Sequence, residues 1–84
     1  MTDDQIREGV LRVLAGIVPG ADLTALRPDL GLRDQLDIDS MDYLNLAIGI
    51  HEELQVDIPE SAYDQLETLD DFVRYLAERT SGST

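Results

Sequence analysis

Apolar residues along this chain recur at helical spacing rather than in strict alternation. After Thr2-Asp3-Asp4-Gln5 come Ile6, Val10, Val13, Leu14 and Ile17, three or four residues apart as one face of a helix requires. Thr2 is placed to cap that helix and Gln5 to complete a capping box. Gly16 weakens its end and Pro19-Gly20 stops it, which predicts a first helix over residues 3–17. Residues 18–38 then form a long connection broken by Pro28 and Gly31 but rich in leucine, at Leu23, Leu26, Leu30, Leu32 and Leu36. A loop of that length in so small a chain is expected to pack over the core, with a short helical turn of its own. Asp39-Ser40-Met41-Asp42 reads as a second capping box and opens a helix that runs to about Leu54. Gln55-Val56-Asp57-Ile58-Pro59 leaves the helix, and a short strand there would have no evident partner. Pro59 precedes a short third helix over 60–66, with Tyr63 and Leu66 as its apolar contacts. Thr68-Leu69-Asp70-Asp71 caps a last helix carrying Leu69, Phe72, Val73 and Leu76, and the chain ends in the frayed stretch Thr80-Ser81-Gly82-Ser83-Thr84. There is no internal repeat. The fold expected is all-α: a small four-helix bundle of three longer helices and one short one, with a long first loop, forming one domain over 1–80 and a disordered tail over 81–84.

The second long helix has apolar residues on two sides. At about 100° per residue, Tyr43, Leu46, Ala47, Ile50 and Leu54 gather on one face, which is the expected core face. Met41, Leu44 and Ile48 fall opposite, with Asn45 and Glu52 among them and Asp42, Gly49 and Glu53 at the flanks. A small apolar centre with a charged rim is a common design for a docking surface. The plainer alternative is a helix buried on most of its sides.

Composition narrows the function. With 84 residues there is one domain and little room for a deep catalytic cleft beside a core. The absence of cysteine removes disulfides, thiolate catalysis and cysteine metal sites. Eighteen acids against six bases, all arginine, give a net charge of -12. That sign opposes binding to nucleic acid or to an anionic membrane and favours a basic protein partner. The charge is also uneven, because residues 34–73 hold twelve acids and no lysine or arginine. A cytoplasmic protein is expected, since the first residues lack the charge of a secretory leader and no apolar run has membrane-spanning length; it is also expected to be a monomer.

A lone serine at a helix start is most often a cap. No histidine is placed to make Ser40 a nucleophile, as His51 lies about three turns further along the same helix. A calcium loop starting at Asp37 would have Asp37 and Asp39 at its first two ligand positions. It then fails at Met41, at Asp42 in place of the required glycine, and at Ile48 in place of the closing glutamate. The wider segment is more specific. Asp37-Ile38-Asp39-Ser40-Met41-Asp42 resembles the Asp-Ser-Leu modification motif of the acyl carrier protein family. The order of elements around it, including Val56-Asp57-Ile58-Pro59-Glu60, resembles that family over nearly the whole chain.

The resemblance implies that a phosphopantetheinyl transferase moves 4′-phosphopantetheine from coenzyme A onto Ser40. The arm's thiol then carries acyl groups as thioesters for fatty acid, polyketide or related acyl transfer, and it supplies the sulfur the chain lacks. The protein would not itself be an enzyme. By the same resemblance Asp39 helps place the transferase's metal-bound coenzyme A. Met41, Asp42, Glu52 and Glu53 match that family's partner-contact positions on the recognition helix, and the helical projection adds Leu44, Asn45 and Ile48 as expected contacts for acyl-loading and acyl-processing enzymes with basic docking surfaces. The chain departs from the family's usual pattern at Asp37 (often glycine), Met41 (usually leucine) and Asn45 (often an acid). Tyr43, on the core face, limits room for a sequestered chain. These features look more like specialised standalone carriers than housekeeping ones. The alternatives are an aminoacyl or peptidyl carrier, or an acidic interaction module whose Ser40 is never modified.

Overall fold

A computed structural model describes residues 2–81, and the capping boxes read from the sequence sit at its helix starts. Helix α1 spans Asp3–Ile17, with the Thr2 side chain accepting from Gln5 N–H and the Gln5 side chain accepting from Thr2 N–H. Helix α2 is the four-residue piece Leu32–Gln35, α3 spans Ser40–Leu54 and α4 spans Leu69–Ser81. Two 3-10 turns, Leu23–Ala25 and Glu60–Gln65, complete the elements. The all-α bundle is therefore as expected, with three long helices. The long first loop holds two short helical pieces, and the expected helix over 60–66 is a 3-10 turn. Val56 and Ile58 form no strand but are buried, so the extended segment between α3 and that turn lines the core. Thr80 and Ser81 continue α4; the rest of the expected tail, 82–84, lies outside the described residues.

The core runs along α1, which packs on both α3 and α4. Ile6, Val10 and Leu14 of α1 are fully buried against Leu46 and Ile50 of α3 and Phe72 and Leu76 of α4. At Gly49 the absence of a side chain lets α3 pack closely on α1, since a Cβ there would run into the Val13 side chain.

The long loop is tied down rather than draped. Leu32 is fully buried, and its N–H donates to the Glu67 carbonyl at 2.7 Å. Asp70 N–H donates to the Pro28 carbonyl at 3.1 Å. The Gln35 side chain stitches the loop to itself, accepting from Arg27 N–H and donating to the carbonyls of Arg27 and Leu30. These bonds fix α2 beside the beginning of α3.

Candidate functional site

Ser40 is the first residue of α3, and its side chain is exposed. Asp39 ahead of it is the N-cap. Its carboxylate accepts from Asp42 N–H at 3.0 Å, while the Asp42 carboxylate accepts from Asp39 N–H at 3.1 Å. This reciprocal pair uses up two of the helix's unpaired donors. It also sets the Ser40 hydroxyl on the first turn, where the positive end of the helix dipole favours an anion.

The face opposite the core is as the helical projection requires. Tyr43, Leu46, Ala47 and Ile50 are buried and Leu54 is partly so, whereas Met41 is 63% exposed, Ile48 50% and Leu44 36%. Asn45 and Glu52 are exposed beside them. Two of the expected recognition acids already have intramolecular work. Asp42 is half-buried in the capping box, and Glu53 pairs with Arg12 across the contact between α3 and α1. Leu44 sits at the edge of the exposed face.

The sequence reading missed what lies on the other side of Ser40. An open groove of about 580 Å³ begins at the serine and runs between Tyr43, Tyr63 and Leu66, with Glu60, Asp64 and Glu67 along it. Arg33 of α2 closes its near end: Nη2 donates to Ser40 Oγ at 3.3 Å, and Cζ lies 4.9 Å from the centre of the Tyr43 ring. Tyr43 in turn packs on Phe72, with ring centres 6.3 Å apart. Burial pushes the Tyr43 phenol up from its ordinary value, the Arg33 charge opposing and Glu67, Asp71 and Asp34 adding to the rise. Tyr63 is raised as well, by burial first and then by Glu60 and Asp57. The only signal for Arg33 in the sequence is that it is the last base before the acidic run, seven residues ahead of the serine.

An exposed hydroxyl on a capped helix start, a guanidinium against it and a groove beside it fit an arm joined through a phosphodiester. Among the described residues no cluster of three or more metal-ligating side chains competes for that site, and no helix is long and apolar enough to cross a membrane.

Comparison with known proteins supplies the family. A family model described as a phosphopantetheine attachment site matches residues 5–76. An acyl carrier protein of Thermobifida fusca is 29% identical over 77 residues, which is 89% of this chain and 94% of the relative. One from Streptomyces coelicolor is 31% identical over 75 residues, 89% of this chain and 77% of the relative. One from Rickettsia massiliae is 29% identical over 80 residues, 95% and 92% of the two chains. The chain thus belongs to the phosphopantetheine-attachment family as an acyl carrier protein, a non-catalytic carrier that takes a covalent 4′-phosphopantetheine and is served by a phosphopantetheinyl transferase and acyl-processing enzymes.

Proposed function

We infer that Ser40 is the attachment residue and that the protein, acting as a monomer, carries acyl intermediates as thioesters in a specialised pathway of polyketide or fatty-acid type. The observation that carries the attachment reading is the placement of the Ser40 hydroxyl, exposed on the first turn of α3 with a cation at 3.3 Å. In the loading step the Ser40 oxygen bonds to the phosphorus that bears the pantetheine arm of coenzyme A. The pyrophosphate bridge breaks, adenosine 3′,5′-bisphosphate leaves, and the serine proton passes to a base on the transferase or to water. Asp39 contributes by holding the helix start and by presenting a carboxylate towards the transferase's metal. Met41, Leu44 and Ile48 form the apolar centre of the docking face. Asn45, Glu52, Asp42 and Glu53 form its rim, complementary to a basic enzyme surface.

A specialised cargo is supported by Tyr43. Its buried ring lines the groove and packs on Phe72, filling the core on that side of α3. A short or polar acyl group lying in the open groove suits this arrangement better than a long one buried inside.

Intact mass of the protein purified from its own host, before and after hydroxylamine, tests the carrier reading. Acyl increments on the arm that hydroxylamine removes, leaving the arm behind, are expected. A population that holds only long saturated chains would contradict the specialised assignment. Increments that survive hydroxylamine would contradict the thioester.

A further inference from the structure

Arg33 stands apart from most other arginines of the chain. Arg7, Arg12, Arg27 and Arg74 each pair with a carboxylate, those of Asp4, Glu53, Asp29 and Asp71. Among the described residues Arg33 makes no such pair, although Asp34 and Glu67 lie within electrostatic reach of the ring it covers. Its guanidinium is turned instead to the Ser40 hydroxyl.

Both ends of this side chain are held. Leu32, the preceding residue, is fully buried and bonded to the Glu67 carbonyl, which fixes the backbone of α2. At the other end the guanidinium lies over Tyr43, a buried ring packed on Phe72. A guanidinium stacked this way keeps its edge N–H donors free. A serine hydroxyl is a weak, neutral acceptor for them. A phosphodiester at the same oxygen carries a full negative charge, and hydrogen bonds to an ionised acceptor are roughly twice as strong as neutral ones. The carboxylates of Asp39, Asp42 and Glu60 would repel that charge, and Arg33 is the cation the fold brings to it.

We propose that Arg33 is a positioning residue for the prosthetic arm: braced on Tyr43, its guanidinium binds the phosphodiester on Ser40 and orients the arm from the first turn of α3. The proposal rests on Ser40 being the attachment residue, and the test separates the two. Wild type, Arg33→Gln and Arg33→Lys are each prepared apo and fully converted with coenzyme A and a transferase, with Ser40→Ala as control and intact mass confirming every state. Conversion of a folded Ser40→Ala protein would remove the serine reading, and this proposal with it.

Thermal midpoints of the six samples then isolate Arg33. Arg33→Gln loses the Tyr43 contact in both forms and the bond to the Ser40 hydroxyl in the apo form, so the apo loss measures those two contributions together. The holo form is expected to lose about 2–6 °C more than the apo form, the scale of a partly exposed ion pair in a domain of this size. Arg33→Lys should recover part of the difference. In ¹⁵N spectra the Arg33 guanidinium signal should move when the arm is attached, while that of Arg79, stacked on Tyr75, should not. Equal losses in apo and holo forms, or an Arg33 signal that stays in place, would overturn the proposal and leave Arg33 as a brace for Tyr43.

Discussion

Ser40 and Asp39 were legible from the sequence because their geometry is local: a capping box fixes both residues through bonds made within four positions. Arg33, Tyr63 and Glu67 were not, because long-range packing assembles that side of the site. Arg33 reaches the serine only because the loop is bonded to the Glu67 carbonyl, and no local pattern encodes that pairing. Tyr43 shows how one residue joins the two halves, with its ring at once a core contact, a groove wall and a platform for Arg33. Its phenol is raised above 10.0, chiefly by burial, so the folded state favours the neutral form. Folded stability tied to that group is therefore complete below the unfolded value and is lost as pH rises through the higher folded value. Above pH ~10 the thermal midpoint should fall more steeply in wild type than in Tyr43→Phe. Tyr63, also raised, should leave a residual slope in the variant. Identical slopes in the two proteins would show that Tyr43 ionises without cost to the fold.

Among the elements, α3 carries apolar residues on opposite faces, one buried and one exposed. The projection that separated Met41, Leu44 and Ile48 from Leu46 and Ile50 holds in the structure, because a capped 15-residue helix keeps its period over four turns. The short elements were harder to read. Helix α2 has four residues, about one turn, so no hydrophobic period can announce it, and tertiary hydrogen bonds hold it in place. The segment after α3 leaves the helix at Gln55, which takes a left-handed conformation at φ 61° without the usual glycine. The two-faced reading predicts two classes of variant. Leu46→Ala and Ile50→Ala should each destabilise the fold by about 2–5 kcal/mol as buried truncations. Met41→Ala and Ile48→Ala should leave the midpoint near wild type and instead speed dissociation from the transferase. Charge reversal at Glu52 should mainly slow association and flatten its salt dependence. Circular dichroism with transferase kinetics on each variant separates these effects. Midpoint losses at Met41 and Ile48 as large as those at Leu46 and Ile50 would end the docking-face assignment.

At the scale of the whole molecule, charge and architecture point the same way. A net charge of -12 with twelve acids over residues 34–73 raises the energy of the folded state by self-repulsion. Few of those acids are spent on intramolecular pairs: the ion pairs among the described residues involve only Glu53 and Asp71 from that stretch. Asp39 and Asp42 are engaged in the capping box, and the other acids of the stretch would be available to the basic partner surface proposed above. The bundle supplies the base, since α1 packs on α3 and α4 while Ser40 at the start of α3 stays exposed. The modification itself tests this account most directly. Apo protein incubated with coenzyme A, magnesium and a broad-specificity phosphopantetheinyl transferase should gain the mass of one phosphopantetheine, mapped by peptide fragmentation to Ser40, and Ser40→Ala should gain none. An unmodified wild-type protein under conditions that convert another acyl carrier protein, or an arm found on a folded Ser40→Ala variant, would contradict it.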